Sequence, residues 1–214
     1  MSGFEKDNPH RISKGRLETM VDTIFAFAMT LLVLGMVMPQ FSEAQAVSEL
    51  SPYLAKLLPQ FILFIMAFLI LAFFWIEHHR QFHYLRIVNP AILRFNVAIL
   101  IFIVLIPFTT DVSGAYDGII IAVLLFHVNL LIVSSLFLGQ WMYICRRNHL
   151  CDTEFDLAKE RYRFWILVTV PSVAFLGIVV AFFSPSNSLL VYILIPVIIA
   201  ILGKTPGHHE QKSM

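Results

Sequence analysis

The sequence predicts an all-α membrane protein with six transmembrane helices and with both termini in the cytoplasm. Of its 214 residues, 58% are hydrophobic and 14% are charged, which is far from the composition of a soluble domain. Apolar segments of roughly 20 residues, the length that crosses a bilayer core of about 30 Å, recur along the chain. Basic residues gather in alternate connections between these segments.

The apolar segments set the boundaries of the predicted helices. Because polar and turn-forming residues interrupt them, we predict spans at 17–38, 54–77, 91–110, 117–144, 164–183 and 187–203. The segment PQFSEAQAVSELSP is predicted to be a polar connection between the first two spans. The chain then divides into a cytoplasmic N-terminal segment, a six-helix transmembrane domain and a cytoplasmic tail, at 1–15, 16–203 and 204–214.

The orientation follows from the distribution of lysine and arginine. One set of connections and ends contains Lys6, Arg11, Lys14, Arg16, Arg80, Arg86, Arg94, Arg146, Arg147, Lys159, Arg161, Arg163, Lys204 and Lys212. The other set contains a single basic residue, Lys56, against Glu43, Glu49, Asp111 and Asp117. The positive-inside rule therefore places both termini in the cytoplasm. The formal net charge of +1 gives no indication of nucleic-acid binding.

The first apolar segment has two different faces when it is drawn as a helix. Phe27, Thr30, Leu31 and Leu34 lie within about 100° of arc, with Thr23 on the same stripe, whereas Asp22 points roughly 140° away from Phe27. Ordinary packing between transmembrane helices would also explain a stripe that contains threonine. An ionisable group at the depth of Asp22 needs a partner; the candidates at that level are Arg16, His78, His79 and Arg94.

Polar residues in the spans leave two other classes of protein open. A proton-linked secondary transporter of an unidentified small solute would use His127, Asn129 and Asp22 as an intramembrane relay. A metal-dependent membrane enzyme would be built on His78, His79 and His83, of which the last two have the i, i+4 spacing that can hold a metal. Such enzymes use several histidine boxes, so we predict no enzymatic activity, no structural metal and no cofactor.

Three motifs in the first half of the chain occur at characteristic spacings. Arg16 is followed by Asp22 and then by Thr30-Leu31-Leu32; Trp75 and His78 are followed by Arg80 and Phe82; Asn96 lies eleven residues before Pro107-Phe108-Thr109. Over roughly residues 16–110 the chain thus resembles the endosomal and lysosomal potassium-channel family, transmembrane protein 175, and specifically its single-repeat prokaryotic members.

Two features of the first helix depart from the family pattern. The family motif is R-x-x-x-F-S-D, and this chain has Met20 and Val21 at the positions of its Phe and Ser. Phe27 stands where the family usually has Ile or Leu. The departures therefore lie in the helix that carries the predicted function.

The resemblance implies a potassium-permeable cation channel, formed by a homotetramer of six-helix subunits in the plasma membrane of a prokaryote. In the family the first helix lines the central pore, and bulky apolar side chains form the constriction. When the family's positions are carried over to this sequence, the constriction is formed by Phe27, Leu31 and Leu34. Thr23 lies on the same face, and Thr30 offers a hydroxyl to a passing, partly dehydrated K⁺. The resemblance also implies a polar network that anchors the first helix, at Arg16, Asp22, His78 and Asn96. The implied partners are K⁺, the lipid bilayer and copies of the chain itself, without nucleic acid.

Overall fold

The computed structural model describes residues 14–147 and 157–202, with the backbone alone for 157–162 and 202. The described residues fold into helices joined by short connections: α1 (Lys14–Leu34), α2 (Glu43–His83), α3 (Pro90–Ala115), α4 (Ile120–Cys145), α5 (Leu157–Ala181), α6 (Pro185–Ser188), a 3₁₀ helix (Leu189–Ile193) and α7 (Leu194–Leu202). Nearly all of the predicted N-terminal segment at 1–15 and the whole predicted tail at 204–214 lie outside the described residues.

Five of the described helices, α1 to α5, are long and apolar enough to cross a bilayer. They correspond to the first five predicted spans. The last apolar segment, Pro185–Ile201, is shorter and is divided among α6, the 3₁₀ helix and α7. The protein is thus a multi-pass helical membrane protein, and the sixth crossing stays a prediction.

Helix α2 is much longer than the predicted span at 54–77. It contains 41 residues, with Pro52 and Pro59 inside it, so its length of about 60 Å is twice the thickness of a bilayer core. The prediction of a polar connection through residue 52 was wrong, because the helix begins at Glu43. Ser42 caps it in a capping box, in which the backbone N–H of Gln45 donates to the Ser42 hydroxyl and the Ser42 N–H donates to the Gln45 side chain.

The core of the protein lies around α4, which packs against both α3 and α5. Phe74 of α2 and Phe137 of α4 stack with their ring centroids 5.0 Å apart, and both are buried. Pro90 occupies the first turn of α3, and the Asn89 side chain accepts a hydrogen bond from the backbone N–H of Ile92, an N-terminal cap that fixes where α3 begins.

Hydroxyl groups inside the helices mostly bond to their own helix. Twelve hydroxyls of the described helices donate to a carbonyl three or four residues earlier: Thr19, Thr23, Thr30, Ser48, Thr109, Thr110, Ser113, Ser134, Ser135, Thr169, Ser172 and Ser188. This geometry satisfies the hydroxyl hydrogen without any partner from another helix.

His127 attaches the last apolar segment to α4. Its ring Nδ1 lies 2.7 Å from the Tyr192 hydroxyl and its Nε2 lies 2.9 Å from the Ser188 hydroxyl. Because Ser188 donates to the carbonyl of Pro185 at 2.6 Å, it accepts from Nε2–H, and Nδ1 accepts from Tyr192. All three side chains are buried, so the group is a closed set of hydrogen bonds with every member satisfied.

Gly177 of α5 has no side chain, and the His127 ring occupies the space where a side chain would lie. A Cβ at position 177 would lie 2.6 Å from His127 Nδ1 and 2.7 Å from its Cε1. Gly177→Ala should therefore displace the ring and lower the free energy of unfolding by about 1–3 kcal/mol. The loss should be observed as a lower thermal midpoint of the protein in detergent. Gly139→Ala is the matched control, since its nearest neighbour would be Phe95 at 3.4 Å. Equal stability of the two variants would contradict this assignment.

Candidate pore-lining face and the polar contacts behind it

Helix α1 presents one face to the rest of the chain and the opposite face outward. The buried residues recur at helical spacing: Leu17, Val21, Phe25, Ala28 and Leu32. Thr23, Phe27, Thr30 and Leu34 are centred roughly 150° around the helix from that stripe. Phe27 is 61% exposed and Leu34 is 69% exposed, and Leu31 is half-buried at the edge of the face. The predicted pore-lining stripe is thus on the surface that α1 turns away from the rest of the chain.

The two threonines give this outward face its polar character. The Thr23 hydroxyl donates to the carbonyl of Thr19 at 2.8 Å, and the Thr30 hydroxyl donates to the carbonyl of Phe27 at 2.8 Å. With their hydrogens directed to the backbone, the two oxygens keep lone pairs that can face a cation. An outward face of this kind presents bulky apolar side chains and possible oxygen ligands for a cation within one turn of helix.

Asp22 contacts α2 at the flank of α1. Its carboxylate accepts a hydrogen bond from the indole N–H of Trp75 at 2.8 Å. Trp75 was not among the candidate partners proposed from the sequence, although it belongs to the second motif and lies one turn before His78 on α2. The sequence shows from the depth of Asp22 in the span that this carboxylate needs a partner. The sequence does not show that the partner is the uncharged indole of Trp75.

His78 joins α2 to α3 and packs against α1. Its Nε2 lies 2.8 Å from Oδ1 of Asn96, and both residues are buried. The His78 ring stacks on Phe82 at 4.2 Å between centroids and lies 6.3 Å from the ring of Phe25 on α1. The structure therefore brings together two of the four predicted anchoring residues, while Asp22 joins α2 through Trp75, and Arg16 lies exposed on the first turn of α1.

Further buried polar groups at the predicted cytoplasmic end were missed by the sequence analysis. Gln81 and Gln140 are both fully buried; Gln140 Nε2 donates to Gln81 Oε1 at 3.0 Å, and Gln81 Nε2 donates to the carbonyl of Phe137 at 3.1 Å. Glu77 is buried as well, in an ion pair of 2.8 Å with the more exposed Arg80. The buried stripe of α2 continues past residue 77, and that periodicity is the signal that would have placed Gln81 in the core.

The residues of the two alternative classes are not assembled into sites. His79 and His83 are exposed, and within 14–147 and 157–202 no three His, Cys, Asp or Glu side chains are grouped to hold a metal. His127 is bonded to Tyr192 and Ser188, and Asn129 donates to the carbonyl of Phe102 at 3.1 Å. Since Asp22 is bonded to Trp75, the three residues of the proposed relay have separate partners.

Known proteins are similar to this chain in sequence and in fold. Residues 16–107 match the model of the family described as endosomal/lysosomal potassium channel TMEM175. A potassium channel from Streptomyces collinus is 26% identical over 151 residues, which are 69% of this chain and 72% of that one. A potassium channel from a Chryseobacterium species is 27% identical over 204 residues, 95% of this chain and 98% of its relative.

A solved structure has the same fold. The crystal structure of a lysosomal potassium-selective channel TMEM175 homolog from Chamaesiphon minutus superposes with a TM-score of 0.74, at 22% identity, over 90% of this chain and 98% of that one. A likeness at this identity establishes the fold of the chain.

Proposed function

With the resemblance to the endosomal/lysosomal potassium-channel family confirmed over residues 16–107, we propose that the protein is a potassium-permeable cation channel. Its named bacterial relatives are potassium channels, and its structural neighbour is a potassium-selective one. Channels of this kind carry out no covalent chemistry, so the protein is proposed to have no enzymatic activity and no resident cofactor, with K⁺ as the permeant ion in a prokaryotic plasma membrane.

The outward face of α1 is the observation that carries this proposal. A single stripe cannot enclose a pore, so the proposed channel contains several copies of α1 around a symmetry axis, in a homotetramer. Four copies of Phe27, Leu31 and Leu34 then form an apolar constriction, and Thr30 and Thr23 contribute hydroxyl oxygens beside it. A constriction of this kind excludes water when it is narrow, and its width decides whether ions pass.

The contacts between α1 and the rest of the chain support a pore-lining role for the outward face of α1. The buried stripe of α1 packs on the subunit, and the Asp22–Trp75 hydrogen bond fixes the rotation of the helix about its axis. The buried His78–Asn96 pair holds α2 and α3 together behind it. In this proposal the polar network at Arg16, Asp22, His78 and Asn96 orients the pore-lining face and does not itself contact the ion.

The proposal is tested by measuring reversal potentials. Purified protein is incorporated into planar bilayers with KCl on one side and NaCl on the other, and the expected reversal potential lies toward the K⁺ equilibrium potential. Absence of current at every voltage and pH tested would refute the channel. Saturable transport that depends on a second solute, or on a proton gradient, would support the transporter instead.

A further inference from the structure

Arg16 lies on the same stripe of α1 as the proposed constriction. At 100° per residue it points about 20° away from Phe27 and in the same direction as Leu34, with Thr23 close to that line. All four residues are exposed in the structure. Arg16 comes eleven residues before Phe27, which is about 16 Å along the helix axis. The face that α1 turns away from the rest of the chain therefore begins with a positive charge.

The other charged residues of α1 point in different directions. Lys14 is about 160° around the helix from Arg16, and its Nζ donates to the carbonyl of Leu85 at 2.9 Å. Glu18 and Asp22 point about 160° and about 120° away from Arg16. Of the charged residues in α1, Lys14–Leu34, only Arg16 therefore lies on the outward face.

An assembly of several copies of α1 around one axis would repeat every residue of this stripe as a ring. In the proposed homotetramer four Arg16 side chains then surround one mouth of the pore. The positive-inside rule assigns that mouth to the cytoplasmic side. A ring of positive charge lowers the local concentration of cations. K⁺ leaving the cytoplasm meets this ring before the constriction, whereas K⁺ entering the cell meets it after the constriction.

We infer that the ring of Arg16 side chains limits K⁺ efflux, because it lowers the K⁺ concentration at the cytoplasmic mouth of the pore. The inference rests on the proposed function. Arg16 acts through its electric field without contacting the ion, so its effect depends on ionic strength. The Debye length is about 10 Å at 0.1 M salt and about 3 Å at 1 M. The effect on efflux is therefore present at 0.1 M KCl and is screened at 1 M.

The test measures single-channel currents in excised inside-out membrane patches with equal KCl concentrations on both sides. At 0.1 M KCl, Arg16→Gln should raise the outward current about twofold or more and change the inward current little. Arg16→Glu should raise the outward current further, because the ring then attracts K⁺. Arg16→Lys keeps the charge but not the planar guanidinium, so it should retain the original current. At 1 M KCl all four proteins should have equal outward currents.

Lys14→Gln is the matched control, because it removes the same charge from the first turn of α1 on the opposite side of the helix. It should leave the outward current unchanged at both KCl concentrations.

Arg16→Cys allows the charge to be restored in a folded channel. Cytoplasmic 2-(trimethylammonium)ethyl methanethiosulfonate should lower the outward current of this variant at 0.1 M KCl and should not affect the unsubstituted protein.

Three results would overturn the inference. They are an unchanged outward current in Arg16→Gln at 0.1 M KCl, an Arg16→Lys variant that behaves like Arg16→Gln, and an equal effect of Lys14→Gln. A K⁺ current that is insensitive to Arg16 would overturn this inference and leave the channel standing. Absence of any current in the unsubstituted protein would overturn the proposed function and this inference together.

Discussion

Phe27→Ala should raise the K⁺ flux through reconstituted protein by about tenfold or more, which corresponds to lowering the barrier by roughly 1.4 kcal/mol. Phe27 is the largest side chain of the proposed constriction, and four alanines in its place would leave a wider and better hydrated passage. The preference for K⁺ over Na⁺ should fall at the same time. The measurement is the flux into liposomes together with the reversal potential under mixed K⁺ and Na⁺.

The interpretation of that result depends on two comparisons. Phe27 is 61% exposed in the subunit, so its truncation removes little packing within the chain, and the thermal midpoint should change little. Val33→Ala is the matched control: Val33 is also exposed on α1, at 50%, but it points roughly 120° away from Phe27. Unchanged flux and selectivity in Phe27→Ala would show that Phe27 does not line the pore.

His78→Ala should lower the free energy of unfolding by about 3 kcal/mol. The change removes a buried ring that packs between Phe82 and Phe25 and leaves Oδ1 of Asn96 without its partner. Because Asn96 Nδ2 already has no partner among the described residues, the whole amide would then be buried and unsatisfied. The thermal midpoint and the fraction of protein that elutes as the proposed tetramer in size-exclusion chromatography measure the loss.

His79→Ala provides the comparison for His78. The two histidines are adjacent in sequence, but His79 is exposed, and substitutions at such positions usually change stability by no more than about 0.5 kcal/mol. Equal losses in the two variants would show that the His78–Asn96 contact has no special importance. A metal-dependent loss in His79→Ala would instead revive the metal-enzyme hypothesis.

The sequence predicted most strongly the features that depend on composition and period. Apolar length located α1, α3, α4 and α5. The angle between Asp22 and Phe27 separated these two residues, and the structure places Phe27 on the outward face of α1 and Asp22 on its flank. Apolar length and helical angle both depend only on residues that are close together in the sequence. They can therefore be predicted before the fold is known. The motif spacings likewise predicted the resemblance that the family model confirms.

The features that the sequence did not predict depend on individual hydrogen bonds. The indole of Trp75 and the carboxylate of Asp22 are 53 positions apart, and many donors at that depth would have satisfied the carboxylate equally well. The extension of α2 to Glu43 depends on a capping box in a segment whose polarity is typical of loops. The ends of a helix are set by a few hydrogen bonds, whereas its middle is set by the whole pattern.

The hydrogen bonds inside the helices bear on how the protein is made. Serine and threonine hydroxyls inside the helices mostly find their acceptors on their own helix, so these groups need no neighbouring helix when the helix enters the lipid. The amides and imidazoles differ, since His78, Asn96, Gln81, Gln140 and His127 find partners on other elements. Left alone in lipid, these groups cost free energy until the correct helices meet. Biogenesis can thus proceed in two stages: during insertion the amides and imidazoles still lack their partners, and during helix association the removal of that cost favours one arrangement of helices.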